Sequence, residues 1–352
     1  MVVVIGAGVH KATHTLVAVD EVGKVLGQGV FPARREGHLR ALGWARRAFK
    51  DRELVWALED CRHLTGLLER DLLGAGQRVV RVSPKLMGTA RRAGRERGKS
   101  DPIDATAVAR AAQAHPDLPV ARHDEASREL KLLVDRREDL VTERTRMINR
   151  LRWHLHELDP DLAPSAGSLD RAVVVTGLRE RLLTLSGLVA QIAVEVLDDI
   201  GVRNAQVRDL DRRIAAAVEQ AAPVLLEVPG CGPLTAAKIV GETAGIERFR
   251  SEAAYAMFTR TAPIPVWSGQ TAGRVRLNRA GNRQLNCALH RIAITQVRLG
   301  GPARDYYDKK RAAGKTSTEA YRSLRRHLAR TIYNTLNHNG QAAAAAPLPA
   351  AA

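Results

Sequence analysis

Short apolar blocks fill residues 1–120, and the spacing inside each block separates strand from helix. Val2 to Ile5 is an unbroken apolar run. THTLVAVDEVG (13–23) and KVLGQGVF (24–31) are rich in strand-forming residues and meet at a turn containing Gly23, which predicts a hairpin. GHLRALGWARRAF (37–49) has helical periodicity. ELVWALED (53–60) reads as a buried strand, HLTGLLERDLLGAG (63–76) as a helix closed by glycine, and QRVVRVSP (77–84) as a strand closed by Pro84. A further helix follows. The succession is three strands, helix, strand, helix, strand, helix.

Beyond Ala126 the period changes. Val134, Val141, Ile148 and Leu155 recur every seven residues beside Leu133, Leu140 and Met147, with Arg and Glu on the other faces. Arg137 and Arg144 stand near this apolar seam. DPDLAPSAGSLD (159–170) reads as a linker, and Ile200, Val207 and Ile214 resume the seven-residue spacing. Two long helices around a linker predict an antiparallel pair joining two domains, with an oligomerisation arm as the alternative. The expected fold class is α/β plus all-α. Residues 1–120 form an α/β domain in the strand and helix order of the RNase H fold. Residues 121–222 form a helical coiled-coil region, and 223–339 a mainly helical, arginine-rich domain. The run GQAAAAAPLPAAA, 340–352, is low in complexity and reads as a disordered tail.

Charge sharpens this picture. Lys and Arg number 55 against 38 Asp and Glu, a formal charge of +17. That balance points to a polyanion, and nucleic acid is the usual one. No stretch approaches the ~18 unbroken apolar residues of a membrane helix, and the opening MVVVIGAG lacks a basic start and the length of a secretory signal. Cys61, Cys231 and Cys287 lie far apart without CxxC spacing, which argues against a disulfide framework or zinc knuckle. The reading is a cytoplasmic protein with reduced thiols.

The candidate chemistry is dispersed. Glu59 and Asp60 close a buried strand, while Asp101 and Asp104 open a helix behind the basic run ARRAGRERGKSD, which includes Arg97 and Lys99. A spacing of three puts both aspartates on one helix face. Helix capping and dipole compensation explain such a pair structurally. The adjacent basic run instead suits hard oxygen ligands for Mg²⁺ beside groups that hold phosphates. LLEVPGCGPLTAAKIVGE (225–242) fits a helix-hairpin-helix, with Gly230 and Gly232 in the turn and Lys238 beyond it; such a turn offers N–H groups to a DNA phosphate. Ser268 lies in a Pro-flanked loop ahead of Arg274, Arg276, Arg279 and Arg283. A loop hydroxyl beside guanidiniums suits phosphoryl attack, although SG in a loop is by itself usually a turn. No GxSxG elbow supports a Ser-His-Asp hydrolase. His10 and His14 are spaced by four within a strand-and-turn segment, so they read as structural or phosphate-facing.

Taken in order, VHKATHT, ALED, RGKSDPIDA, VPGCGPLTAAKI and API…SG…NRAGNRQLN resemble the IS-one-ten family of insertion-sequence transposases, also called DEDD transposases, over nearly the whole chain. The resemblance implies a RuvC-like (RNase H-like) domain joined by a coiled coil to a domain bearing a serine nucleophile. It implies four acids, in the order D, E, D, D, that hold Mg²⁺; Glu59, Asp101 and Asp104 match the second to fourth. Ser268 matches the serine that forms a covalent phosphoserine link with DNA. Guidance by a structured noncoding RNA and assembly into dimers paired as tetramers are implied as well. Lys11, Arg97, Lys99, Gly230, Gly232, Lys238, Arg274, Arg276, Arg279, Asn282 and Arg283 are the candidates for contact with DNA or RNA.

The departure is at the first acid. The family reads GxDVHKxTHT, this chain GAGVHKATHT, so Gly8 stands where Asp belongs. Asp20, at the far end of the next strand, is a poor geometric substitute. Two alternatives to the transposase reading follow: a RuvC-like structure-specific nuclease that uses water, and a catalytically impaired nucleic-acid-binding relative.

Overall fold

The structure, a computed structural model, describes residues 2–60, 62–94, 98, 100–122, 124–278 and 280–345. Arg97, Lys99, Arg279 and the last residues of the expected tail lie outside the described residues. Two compact units form: Met1–Asp124 with Thr243–Ala352, and Glu125–Glu242.

The N-terminal part of the first unit follows the order read from the sequence. Strands β1 (Val2–Val9), β2 (Thr13–Val19) and β3 (Val25–Pro32) form an antiparallel meander, and β4 (Glu53–Glu59) and β5 (Arg78–Val82) extend it in parallel beyond β1. The sheet order is β3-β2-β1-β4-β5. The β2–β3 turn needs Gly23, whose φ is +80°. The parallel connections carry helices α1 (Arg35–Ala48) and α2 (Arg62–Gly74), as crossovers between parallel strands require. Helices α3 (Pro84–Ala93) and α4 (Asp101–Ala114) follow, each opened by a serine N-cap, Ser83 and Ser100, ahead of a proline.

Period-two alternation divides the strands between two cores. Ile5, Ala7, Leu16, Trp56 and Leu58 pack with Leu42, Ala45, Leu68 and Leu72 of α1 and α2. Val4, Val17, Val55, Ala57 and Val80 pack with Ala105, Val108 and Ala109 of α4. On that second face β1 presents Gly6 and Gly8, and α4 comes within touching distance of the strand. A Cβ on Gly6 would lie 2.1 Å from the Ala105 carbonyl oxygen and 2.6 Å from the Ala109 nitrogen. Both obstacles are backbone, so no side-chain rotation relieves them.

The second unit is built on α5 (Glu125–Leu158), α6 (Ala172–Leu183), α7 (Leu188–Ala221) and most of α8 (Pro233–Thr243). Arg137 pairs with Asp211 and Arg144 with Asn204, so the partner number falls by seven as the α5 number rises by seven. That register is antiparallel, as two long helices around a linker predict. The two arginines near the seam thus find acceptors across it, and Asn204 also donates to the Leu169 carbonyl. The Gly-rich turn and residues up to Glu242 group with these helices, because Lys131 and Lys238 bond across to Glu242 and Glu138. The segment before the turn is a short 3₁₀ turn, Pro223–Leu225, rather than the expected apolar helix; Pro223 and Pro229 interrupt it.

The C-terminal part of the first unit comprises α9 (Glu252–Phe258), a hairpin of β6 (Pro263–Pro265) and β7 (Val275–Leu277), then α10 (Arg283–Leu299), α11 (Pro302–Ala312) and α12 (Ser317–Ala345). Helix α12 runs past residue 339, into the expected tail, because alanine has the highest helix propensity. No described helix is long and apolar enough to cross a membrane.

On the face of the sheet away from α4, His14 lies buried and stacked on His38, ring centroids 5.2 Å apart. His38 Nδ1 lies 2.7 Å from Asp71 Oδ2, and Arg35 approaches the same carboxylate at 3.7 Å. Burial first, then the neighbouring His38 and His10, push the His14 pKa down from its ordinary value to about 4.

Two predictions follow from this packing. Gly6→Ala lowers the unfolding free energy by about 1–3 kcal/mol, read by denaturant titration, because α4 must move off β1. His14 binds its proton more weakly folded than unfolded, so its contribution is complete above pH 6.5 and is lost as pH falls towards 4. That loss is roughly 3 kcal/mol, and His14→Leu removes this part of the acid slope when stability is measured across the same window.

Candidate active site

The C-terminal ends of β1 and β4 and the first turn of α4 meet on one side of the sheet. Register sets this: Ala7 pairs with Leu58, so Gly8 and Glu59 are the next residues along neighbouring parallel strands. Glu59 falls on the face of Val55 and Ala57, which is the α4 face. A Cβ on Gly8 would lie 3.0 Å from the Asp101 carbonyl oxygen and 3.6 Å from Ala105 Cβ. Position 8 therefore abuts the turn that carries Asp101 and Asp104.

Side chains of the chain itself engage these acids. His10 Nε2 lies 2.9 Å from Asp101 Oδ1, both side chains about half exposed. Arg91 Nη1, from the last turn of α3, donates to Asp104 Oδ1 at 2.9 Å. Among the described residues no three His, Cys, Asp or Glu side chains stand close enough together to hold a metal ion. Lys11, in the β1–β2 turn, is exposed. The sequence reading missed His10 and Arg91 as carboxylate partners. Arg91 belongs to the basic run that was noted, whereas a strand-end histidine carries no signal of its partner.

At the Gly-rich turn, Gly230 has φ +78° and Gly232 faces open space, with nothing within 4 Å of where its Cβ would be. The α8 N-terminus beside it is accessible. Lys238 requires a correction: it is 6% exposed and ion-paired with Glu138, so burial withdraws its ammonium from any nucleic acid. Cys231 is buried as well, which pushes its thiol up to about 12 and keeps it protonated.

Ser268 is exposed, at the N-terminus of a 3₁₀ turn, Gly269–Thr271, within the loop from β6 to β7. Its backbone is clamped: the Ser268 N–H donates to Thr271 Oγ1 and the Thr271 hydroxyl donates to the Ser268 carbonyl, both at 3.0 Å. Arg274, just ahead of the returning strand, and Arg276, within it, are both exposed. Asn282 caps α10, accepting from the Leu285 N–H at 3.0 Å, and Arg283 is exposed in the first turn of that helix. Asn278, which the sequence reading missed, is buried and ties the loop down: its amide donates to the Met257 carbonyl at 2.8 Å and its oxygen accepts from the Ala280 N–H at 2.9 Å.

Sheet order and helical remainder define a class: a RuvC-like α/β domain followed by long helices and a helical, arginine-rich region. Residues 5–160 match the family model of DEDD transposases, described as "Transposase", and residues 222–308 match "Transposase IS116/IS110/IS902 family". The "Insertion element IS900 uncharacterized 42 kDa protein" of Mycobacterium paratuberculosis is 27% identical, with 94% of each chain covered. The "Insertion element IS116 uncharacterized 44.8 kDa protein" of Streptomyces clavuligerus is also 27% identical, with 92% of this chain and 91% of that one covered. The 43.6 kDa counterpart from IS110 of Streptomyces coelicolor is 28% identical over 68% and 70%. Among solved structures, "T. thermophilus RuvC in complex with Holliday junction substrate" matches with TM-score 0.27 and 19% identity, covering 33% of this chain and 95% of that one. The chain belongs to the IS110 family of insertion-sequence transposases.

Gly8→Asp tests the acidic end. The substitution adds a carboxylate beside Asp101 at the cost of a tight contact with one backbone oxygen. A rise in melting temperature on adding Mg²⁺, absent or much smaller in the unsubstituted chain, is the expected result by thermal shift.

Proposed function

We propose that this transposase cuts and rejoins DNA through Ser268. The observation that carries the reading is the setting of that residue: exposed, backbone-clamped by Thr271, and followed by two exposed arginines, Arg274 just ahead of β7 and Arg276 within it. Ser268 Oγ attacks the phosphorus of a DNA phosphodiester. The bond from phosphorus to the leaving strand oxygen breaks as the bond to serine forms; the hydroxyl proton goes to solvent and the departing oxygen takes one up. The phosphoserine diester retains the phosphodiester's energy, so a hydroxyl of another strand reverses the step without ATP. Guanidiniums offset the charge that builds on the phosphate oxygens.

The open glycine turn before α8 suits a DNA phosphate at a helix N-terminus, with Gly230 and Gly232 in the role proposed from the sequence. Lys11 and Arg283, both exposed, remain candidates for nucleic-acid contact, whereas Asn282 acts first as a helix cap. The charge of +17 supports a polyanionic partner. The family resemblance extends the proposal to a structured noncoding guide RNA, to dimers or tetramers in which the acids of one subunit meet the serine of another, and to work in the cytoplasm.

Mg²⁺ does not fit the acidic end as it stands. Position 8 carries no carboxylate, Asp104 is ion-paired with Arg91, and Asp101 is engaged by the His10 imidazole. The proposal routes no step through a metal. The same observation favours a second reading, an impaired relative that binds nucleic acid and breaks no strand, and it counts against a water-using nuclease that relies on the acids alone.

The test is incubation of the full chain with element-end DNA and flanking RNA, followed by denaturing electrophoresis for a covalent protein–DNA adduct. The expected adduct disappears in Ser268→Ala. An adduct that persists in that variant overturns the nucleophile; salt-sensitive binding without adduct or breakage supports the impaired reading.

A further inference from the structure

We infer that α10 and α12 build an anion subsite for a nucleic-acid phosphodiester, formed by Arg322 and Arg325 with His290 and positioned by Asn286. It uses none of the residues assigned to the serine loop or the acidic end. Its dependence on the reading above is limited to the source of the phosphate.

The charge arrangement on α12 carries the inference. Arg326 and Arg330 share one carboxylate, Glu252 of α9, at 3.0 and 2.6 Å. Arg322 and Arg325, on the same helix, have no carboxylate within ion-pair distance among the described residues. The acid one turn before Arg322, Glu319, is turned to Thr316 and accepts from its N–H and hydroxyl at 2.9 Å each. Arg325 is only 9% exposed, yet its hydrogen-bond partner among the described residues is neutral: Nη1 donates to Asn286 Oδ1 at 2.6 Å. Its Nε is buried without an acceptor, and so are Arg322 Nε and His290 Nδ1. Three inward-facing nitrogens in one place thus lack partners.

The neighbours show that these groups sense one another. Burial and Arg322 push the Arg325 guanidinium down from its ordinary value, and burial and Arg325 do the same to His290. Asn286 cannot turn to relieve this. Its amide donates to the Thr259 and Arg260 carbonyls, at 3.1 and 3.3 Å, which fixes its oxygen towards Arg325. A buried guanidinium without a counter-charge is unfavourable. A phosphate oxyanion supplies the missing acceptors, and the planar fork of arginine matches it. Arg322 and His290 are only half-buried, so the cluster opens to solvent on the side an anion would enter.

The experiment uses the full chain with Arg322→Gln and Arg325→Met, each probed with inorganic phosphate and with DNA and RNA duplexes of one sequence. Phosphate raises the melting temperature of the unsubstituted protein and loses most of that effect in both variants. Affinity for nucleic acid falls about tenfold, and the salt slope shrinks by about one unit. Loss on DNA, on RNA or on both identifies the strand that the subsite holds. In phosphate-free buffer Arg325→Met melts no lower than the unsubstituted chain, since an uncompensated charge has gone; a brace between helices would melt lower and leave the phosphate response intact. Arg322→Gln, at a half-exposed position, keeps the test valid should Arg325→Met fail to fold. An unchanged phosphate response and unchanged salt slope in Arg322→Gln overturn the subsite. The covalent adduct reads the nucleophile and the phosphate response reads the subsite, so failure of one is distinguishable from failure of the other.

Discussion

The close approach of α4 to β1 is the constraint on which the N-terminal architecture depends. With backbone only 2.1 Å from where a Gly6 Cβ would sit, the strand and helix are in contact without any side chain between them. That contact fixes the height of α4 on the sheet. It sets Ala105 and Ala109 against Gly6 and brings the first turn of the helix, with Asp101 and Asp104, to the end of the strand. Small residues on both partners make this possible: α4 reads DPIDATAVARAAQA, and its sheet-facing positions are alanine and valine. The acidic end is thus a consequence of packing before it is a matter of chemistry.

Electrostatic compensation follows a consistent rule through most of the molecule. Acids that packing brings together receive a basic partner, as with Asp101 and His10, Asp104 and Arg91, and Glu252 and two arginines. The seam of the helical unit obeys it at Arg137 with Asp211, whereas half-buried Arg144 meets the neutral Asn204. Arginines outnumber their partners in a chain of charge +17, and exposed ones are solvated cheaply. Arg325 breaks the pattern because it is buried and faces only an amide.

Legibility from sequence followed the range of the interaction. Hydrophobic period gave the strand order, the hairpin at Gly23 and the two long helices α5 and α7, because burial writes itself every two or seven residues; the linker between those helices, not their period, suggested an antiparallel pair. Caps were equally readable: Ser100 and Pro102 start α4 by local chemistry alone. Partner choice was not readable. Lys238 looked available beside a phosphate-binding turn, yet α8 packs that face on α5 and delivers it to Glu138. His10 looked structural and instead meets Asp101 from a strand end. Each of these pairs joins residues separated by about ninety or more positions, and no local pattern records such a meeting.

Glycines 6 and 8 occupy the same face of the same strand, and they answer to different demands. At position 6 any side chain collides with backbone, so glycine is what the fold requires. At position 8 a Cβ meets one carbonyl oxygen at 3.0 Å, close enough to need a small shift and far enough to be accommodated. The strand can therefore bear a side chain at its end and none in its middle. An aspartate at position 8, as in the family pattern, fits this geometry, and its loss leaves the sheet, its register and the α4 contact as they are. Without that carboxylate the turn keeps two acids, Asp101 beside the His10 imidazole and Asp104 paired with Arg91. Glycine at position 6 is thus dictated by the backbone packed against it, whereas at position 8 the first obstacle to a side chain is the single Asp101 carbonyl oxygen.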